Sequence, residues 1–299
     1  MKTFVVAAED VGRVDKILAK HYPDAGRKQL AELFEAGVVR VNKKKARKGD
    51  FVSPGDEISL EREPVSGEAL RPVADPSVVL DILFESPTVI VMAKPAGIPS
   101  QPLRAGELGT MANGIVARYP ECATIGNDPR DGGLVHRLDI GTSGVLVAAR
   151  TPDAYKAIRD AFARGDVHKE YLAITQDTPV SREMDAPLAQ RGDHVVVDHT
   201  DGLTASTQFQ PLASSGTHTL VRCIASTGRM HQIRAHLAFA NSPIAGDVLY
   251  KGAPVEGFDG FFLHAEKMTV PVDGAAKQFV APLPQRFRDA AASLGLDLP

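Results

Sequence analysis

Residues His136 to Gly144, reading HRLDIGTSG, set one carboxylate, Asp139, behind two potential cations, His136 and Arg137. A turn of small polar residues follows, Gly141 to Gly144, and then the apolar run Val145 to Ala149. The pattern describes an acid on a loop pinned beside a buried strand. On its own it fits two readings equally. Asp139 is a turn former bonded to nearby backbone amides, or it is a carboxylate held open for chemistry.

The elements that must position such an acid can be read along the chain. Val78–Phe84 and Thr88–Ala93 look like strands, and Lys94–Pro102 (KPAGIPSQP) is a loop made rigid by its prolines and glycine. Lys94 could be structural or lie near a phosphate. A helix is expected from Thr110 to Tyr119. Another follows the cap Thr151 and Pro152, with Tyr155, Ile158 and Phe162 on one face, and stops at Arg164-Gly165. His168–Ala173 reads as a strand, and Thr204–Phe209 and Thr219–Ile224 alternate as antiparallel strands do. Beyond TGRMHQIRAHLAFANSPIAGDVLYKG (Thr227–Gly252), a strand Phe261–Lys267 and a helix from Gln285 to Leu294 close the chain. Many strands, few helices and no regular βαβ units indicate an α+β fold. Its main sheet is expected to be mixed but mainly antiparallel, with peripheral helices.

Before this body lies a different unit. The 299 residues carry a net charge of −3, yet Arg13–Lys48 alone carries +7, which leaves −10 for the rest. A basic module on an acidic body suits a protein that grips a polyanion with one part. Two short helices, Val14–Leu18 onward and Arg27–Ala36, precede a strand Val38–Val41, a basic turn and a last strand Glu57–Leu60. The domains expected are therefore a basic unit at 13–62, a Pro- and Glu-rich linker at 63–77 and a larger domain at 78–299. Two cysteines exclude a disulfide framework. The N-terminal apolar run is cut by Glu9 and Asp10, and no run nears the about 18 apolar residues of a membrane span. A cytoplasmic protein is expected. His231 and His236 are five apart, off the i, i+4 spacing of a helical zinc pair, so no metal is expected.

Three separated segments together carry a resemblance. HRLD followed two residues later by TSG, K-x-Y-x-A at Lys169–Ala173, and T-G-R-x-H-Q-I-R-x-H-L with a later P-I-x-G-D-x-x-Y resemble the RluA family of RNA pseudouridine synthases. The loop KPAGIPSQP resembles that family's first common segment. The basic unit resembles the small RNA-binding domain first known from ribosomal protein S-four. The usual Ser at its helix start is replaced here by Gly26, a change worth about 1 kcal/mol at most.

The resemblance implies the reaction and the roles. Uridine becomes pseudouridine when the bond from ribose carbon one to uracil nitrogen one breaks, the base rotates, and ring carbon five takes its place. Asp139 is implied as the catalytic acid, either nucleophile at carbon one or base at the neighbouring ribose carbon. Arg234 is implied as its ion-pair partner. Tyr171 is implied as the platform for the flipped base, its hydroxyl a candidate acceptor for the proton on carbon five, with Leu263 packed under it. Arg137 is implied to fill the gap that flipping leaves or to bind phosphate. Arg229 resembles a backbone clamp, and His136 and Thr142 are candidate RNA contacts. In the basic unit Arg27, Lys28, Lys43, Lys44 and Lys45 are implied to face phosphates. The substrate implied is RNA, large-subunit ribosomal RNA before transfer RNA, with no cofactor. Two rivals remain: an RNA-binding assembly factor without catalysis, and a glycosidase, which would need a second positioned acid.

Overall fold

Val14, Ile17 and Leu18 share one helical face, and all three are buried. They seed the core of the first of two compact units, Met1–Arg71 with Leu103–Gly106. The computed structural model describes residues 1–23, 25–180 and 182–298. The turn residue Asp24 and the side chains of Arg27 and Lys28 lie outside the described residues.

The first unit runs β1 (Lys2–Val5), β2 (Gly12–Arg13), α1 (Val14–His21), α2 (Arg27–Glu35), β3 (Val39–Val41), β4 (Lys44–Lys45), β5 (Phe51–Val52) and β6 (Glu57–Leu60). Its sheet order is β1-β6-β3-β4, and β2 pairs with β5. The helices lay Leu18, Leu30 and Leu33 against Val39, Ile58 and Leu60. At the α2 start the Gln29 side chain accepts the Gly26 amide at 3.1 Å, so the missing hydroxyl leaves that end partly capped. Lys43 to Lys45, expected as one turn, divide. Asn42 and Lys43 make a two-residue hairpin turn with φ of 49° and 67°, and Lys44 and Lys45 continue as β4. Positive φ at both positions matches the right-handed twist of the flanking strands. Strand β1 was not legible in the sequence, where Lys2–Val5 carries no alternation.

The second unit, Pro72–Pro102 and Glu107 onward, holds β7 (Asp81–Glu85), β8 (Val89–Lys94), α3 (Met111–Arg118), β9 (Ser143–Ala149), α4 (Pro152–Arg164), β10 (His168–Gln176) and β11 (Glu183–Asp185). There follow β12 (Leu188–Arg191), β13 (His194–Val197), β14 (Ser206–Ser214), β15 (His218–Ala225), α5 (Gln232–Phe239), β16 (Leu263–Val272), β17 (Ala275–Val280) and α6 (Gln285–Ser293). Nine strands form one sheet, ordered β11-β14-β15-β10-β16-β9-β8-β7, with β17 on β16. Every strand pair in it is antiparallel except β16 with β9. The fold is thus α+β with a mixed, mainly antiparallel sheet.

The apolar run Val145–Ala149 is buried throughout because β9 is covered on both faces. Val145 and Val147 meet Tyr155 and Ile158 of α4. Leu146 and Ala148 meet Met111 and Ile115 of α3. Helix α4 is capped as its sequence requires: Thr151 Oγ1 accepts the Ala154 amide at 3.2 Å, and Gly165 ends it at φ 81°.

The parallel contact explains Gly144. At φ 121°, any Cβ there would stand 2.1 Å from the carbonyl oxygen of Ala265. Backbone strain and overpacking together make Gly144→Ala cost about 2–5 kcal/mol in urea denaturation. A cost below about 0.5 kcal/mol would refute this account of the strand junction.

Candidate active site

The acid of HRLD stands where three elements meet. Strand β8 ends at Lys94, which is 1% exposed, and its ammonium donates to the carbonyls of Pro95, Ile140 and Thr142 at 2.9, 3.1 and 2.8 Å. Gly97 N–H donates to Ile140 O at 2.7 Å. Ser100 bonds both the amide and the carbonyl of Leu138. The KPAGIPSQP loop therefore staples Leu138–Thr142 at both ends of Asp139. Burial pushes the Lys94 pKa down to about 7, with the Asp139 charge opposing. The role left open in the sequence is thus structural: this ammonium is spent on backbone carbonyls.

Arg234 approaches from α5. It is 6% exposed and clamped: Nε and Nη2 donate to the two oxygens of Asp247 at 2.7 and 2.8 Å, and Nη1 donates to Asp139 Oδ2 at 3.1 Å. Its guanidinium stacks near Phe261 and Tyr250, at 4.4 and 4.9 Å from their ring centroids. Burial alone would weaken its charge, but Asp247 and Asp139 outweigh that and raise its pKa. Gly141 belongs to this packing, since a Cβ would come within 2.6 Å of the Phe261 ring. Among the described residues Arg234 bonds Oδ2 of Asp139 and no group bonds Oδ1.

A pocket of about 90 Å³ opens at Asp139. Of the residues expected from the sequence, Arg137, Thr142, Tyr171, Arg229, Arg234 and Leu263 all line it, together with His231 and Gly228. Tyr171 lies on β10 beside a register shift between Glu170 and Tyr171, a bulge that re-aims the strand next to the site. Tyr171 packs on the cluster containing Leu263. Burial, and then the negative charge of Asp139, push the Tyr171 hydroxyl well above the ordinary phenol range. The hydroxyl is therefore neutral at ordinary pH. Arg229 is exposed, donates Nε to the Thr204 carbonyl at 3.0 Å and makes no ion pair among the described residues.

His136 points elsewhere. Its Nε2 accepts the Val147 amide at 3.1 Å, and it lines a second cavity and not this pocket. His231 bonds Tyr250 through Nδ1 at 3.0 Å and has Nε2 3.9 Å from Asp139. His236 is buried between Thr207 and the Ala186 carbonyl. Among the described residues no group of three or more His, Cys, Asp or Glu could hold a metal ion. Lys43, Lys44 and Lys45 belong to the first unit and are exposed.

The residue that sequence reasoning missed is Asp247. It stands in the GDVLY segment, but a single Asp thirteen positions past Arg234 gives no local signal of pairing, because the contact is made in space. Tyr250 and Phe261 were missed for the same reason.

Comparison with known proteins gives the family. The model of the RNA pseudouridylate synthase family matches residues 88–239, and the chain belongs to that family of uridine-isomerising enzymes. A protein named ribosomal large subunit pseudouridine synthase D from Xanthomonas campestris is 33% identical, over 95% of this chain and 89% of its own length. Uncharacterized RNA pseudouridine synthase YlyB from Bacillus subtilis is 33% identical, over 94% of both chains. The structure of human RNA pseudouridylate synthase domain containing 4 superposes with a TM-score of 0.60 at 26% identity, covering 73% of this chain and 94% of that one.

Two outcomes follow for the charged core. Arg234→Met leaves the carboxylate of Asp247 buried and unpaired, at a cost of about 3–5 kcal/mol in urea denaturation, and adding Asp247→Leu recovers most of it. A loss below about 1 kcal/mol for the single variant would contradict a buried pair. For His136, burial first, then the charges of Lys169 and Arg159, push the pKa down to about 3. The unfolded chain then binds the extra proton as pH falls below about 6.5, so this group's contribution to stability is full above that pH and lost toward pH 3. In NMR spectra its imidazole shifts should stay constant from neutral pH down to about 5. A midpoint near 6.5 would refute it.

Proposed function

We propose that this protein isomerises uridines of large-subunit ribosomal RNA to pseudouridine, with Asp139 acting on the ribose of a flipped nucleotide. The observation that carries the reading is one pocket holding the Asp139 carboxylate, the Tyr171 ring and the Arg234 guanidinium. Asp139 attacks carbon one or takes the proton of carbon two. In both routes the uracil departs with the electron pair of its nitrogen one bond and turns on Tyr171. Carbon five then bonds carbon one, expelling the Asp139 carboxylate in the first route and with Asp139 returning the proton to carbon two in the second. Carbon five gives its proton to solvent while nitrogen one takes one up. Arg234 holds Oδ2 and so aims Oδ1. Stacking on an aromatic face is worth about 1–3 kcal/mol per base, enough to hold the detached uracil while it turns. Arg137, exposed at the pocket edge, takes the phosphate or the vacated stack.

The ribosomal substrate is supported by the names of the relatives called ribosomal large subunit pseudouridine synthase D and by the basic first unit. The likeness of that unit to the S-four RNA-binding domain makes it the phosphate-gripping part. Lys43, Lys44 and Lys45 make no ion pair among the described residues, and their contacts would position RNA without reading its sequence. Among the described residues no helix is long and apolar enough to cross a membrane, and we place the enzyme with its RNA in the cytoplasm.

A pseudouridine map of total RNA, read as reverse-transcription stops after chemical labelling, tests the proposal. Particular stops in large-subunit ribosomal RNA should vanish in a strain carrying Asp139→Asn, while the variant protein still binds RNA. Identical maps with normally expressed protein would refute catalysis by Asp139. Stops lost only from transfer RNA would refute the ribosomal substrate.

A further inference from the structure

Beside the catalytic pocket lies a second cavity of about 440 Å³. It shares Arg137, Tyr171 and Gly228 with that pocket, and its size falls in the range of small-molecule sites, about 300–1,000 Å³. Its wall contains Lys169, which is 5% exposed. An ammonium has three protons to donate, and this one has a single hydrogen-bond acceptor among the described residues, the Thr227 carbonyl at 2.6 Å, with the Phe162 ring centroid 5.8 Å from its nitrogen. Among the described residues no carboxylate offsets its burial, which by itself lowers the pKa to about 8.

The surrounding charges add to the imbalance. Four cations line the cavity, Arg130, Arg137, Arg159 and Lys169, against two acids, Asp128 and Asp131. Asp128 is taken by Arg130 at 2.6 Å. Asp131 accepts the amides of Asn127 and Asp128 and the Tyr155 hydroxyl. Arg159 gives Nη1 to the Val135 carbonyl and, like Lys169, has no acid beside it among the described residues. A buried cation without a counter-charge is costly, and an anion entering the cavity would satisfy its spare donors with charge-assisted bonds.

We propose that this cavity is a second nucleotide subsite: it takes the RNA nucleotide adjoining the flipped uridine, with its phosphate bound by Lys169. The shared wall at Arg137 makes the two sites adjacent along one strand. The assignment rests on reading the Asp139 pocket as the uridine site.

The test uses the full-length protein and an unmodified transcript of large-subunit ribosomal RNA. Binding is measured over a series of KCl concentrations for wild type and Lys169→Met. Loss of one phosphate contact should lower the slope of log affinity against log salt by about 0.7–0.9, a change that a merely structural lysine would not produce. In wild-type protein, ethylation of an RNA phosphate flanking the isomerised uridine should block binding, whether or not the variant folds. An unchanged slope in folded Lys169→Met, or no ethylation interference beside that uridine, overturns the subsite. Pseudouridine formation on the same transcript is scored separately. Its absence overturns the uridine reading, whereas formation with an unchanged slope overturns the subsite alone.

Discussion

The second unit is arranged about one buried guanidinium. Arg234 cannot remain charged away from water unless its donors are met, and they are met by Asp247 on one edge and Asp139 on the other. A planar fork bound on both edges has few orientations open to it. The stacked rings of Phe261 and Tyr250 remove the rest. The direction of the Asp139 carboxylate is thus fixed by a residue 95 positions away, and the loop that carries Asp139 must be equally fixed for the pair to meet.

That second condition is met by the opposite device. Lys94 is a buried cation that faces carbonyl oxygens in place of carboxylates, so it rigidifies backbone without competing for Asp139. Ser143 continues the same logic one residue on, bonding His264 at 2.9 Å, which in turn bonds the Ala281 carbonyl. Gly144 then lets β9 and β16 touch closely enough to pair in parallel. The residues of the Thr-Ser-Gly turn therefore act separately. Thr142 gives a carbonyl to Lys94, Ser143 gives a hydroxyl to His264, and Gly144 leaves Ala265 the space a side chain would fill.

Much of this was legible in the sequence. The helix caps at Thr151 and Gly165, the buried run Val145–Ala149 and the α+β class follow from local pattern, because capping and burial leave marks within a few residues. The gathering of Asp139, Tyr171 and Arg234 followed from resemblance and not from spacing, since those residues lie on different elements. Asp247, Phe261 and the carbonyl-bound state of Lys94 were not legible. Their partners are distant in the chain, and an ammonium bound to carbonyls looks the same in sequence as one awaiting phosphate. His136 shows the converse limit: an imidazole three residues before Asp139 turns inward, where its Nε2 accepts the amide of Val147, eleven positions away.

The central claim is that Asp247, through Arg234, aims Asp139. The most direct test is the single-turnover rate of pseudouridine formation by Asp247→Asn, measured alongside its affinity for the same RNA. Misplacing a reacting group by about 1 Å can cost about 100-fold in rate. The account predicts a loss of that order with affinity unchanged. A folded Asp247→Asn enzyme that turns over at the wild-type rate would contradict it.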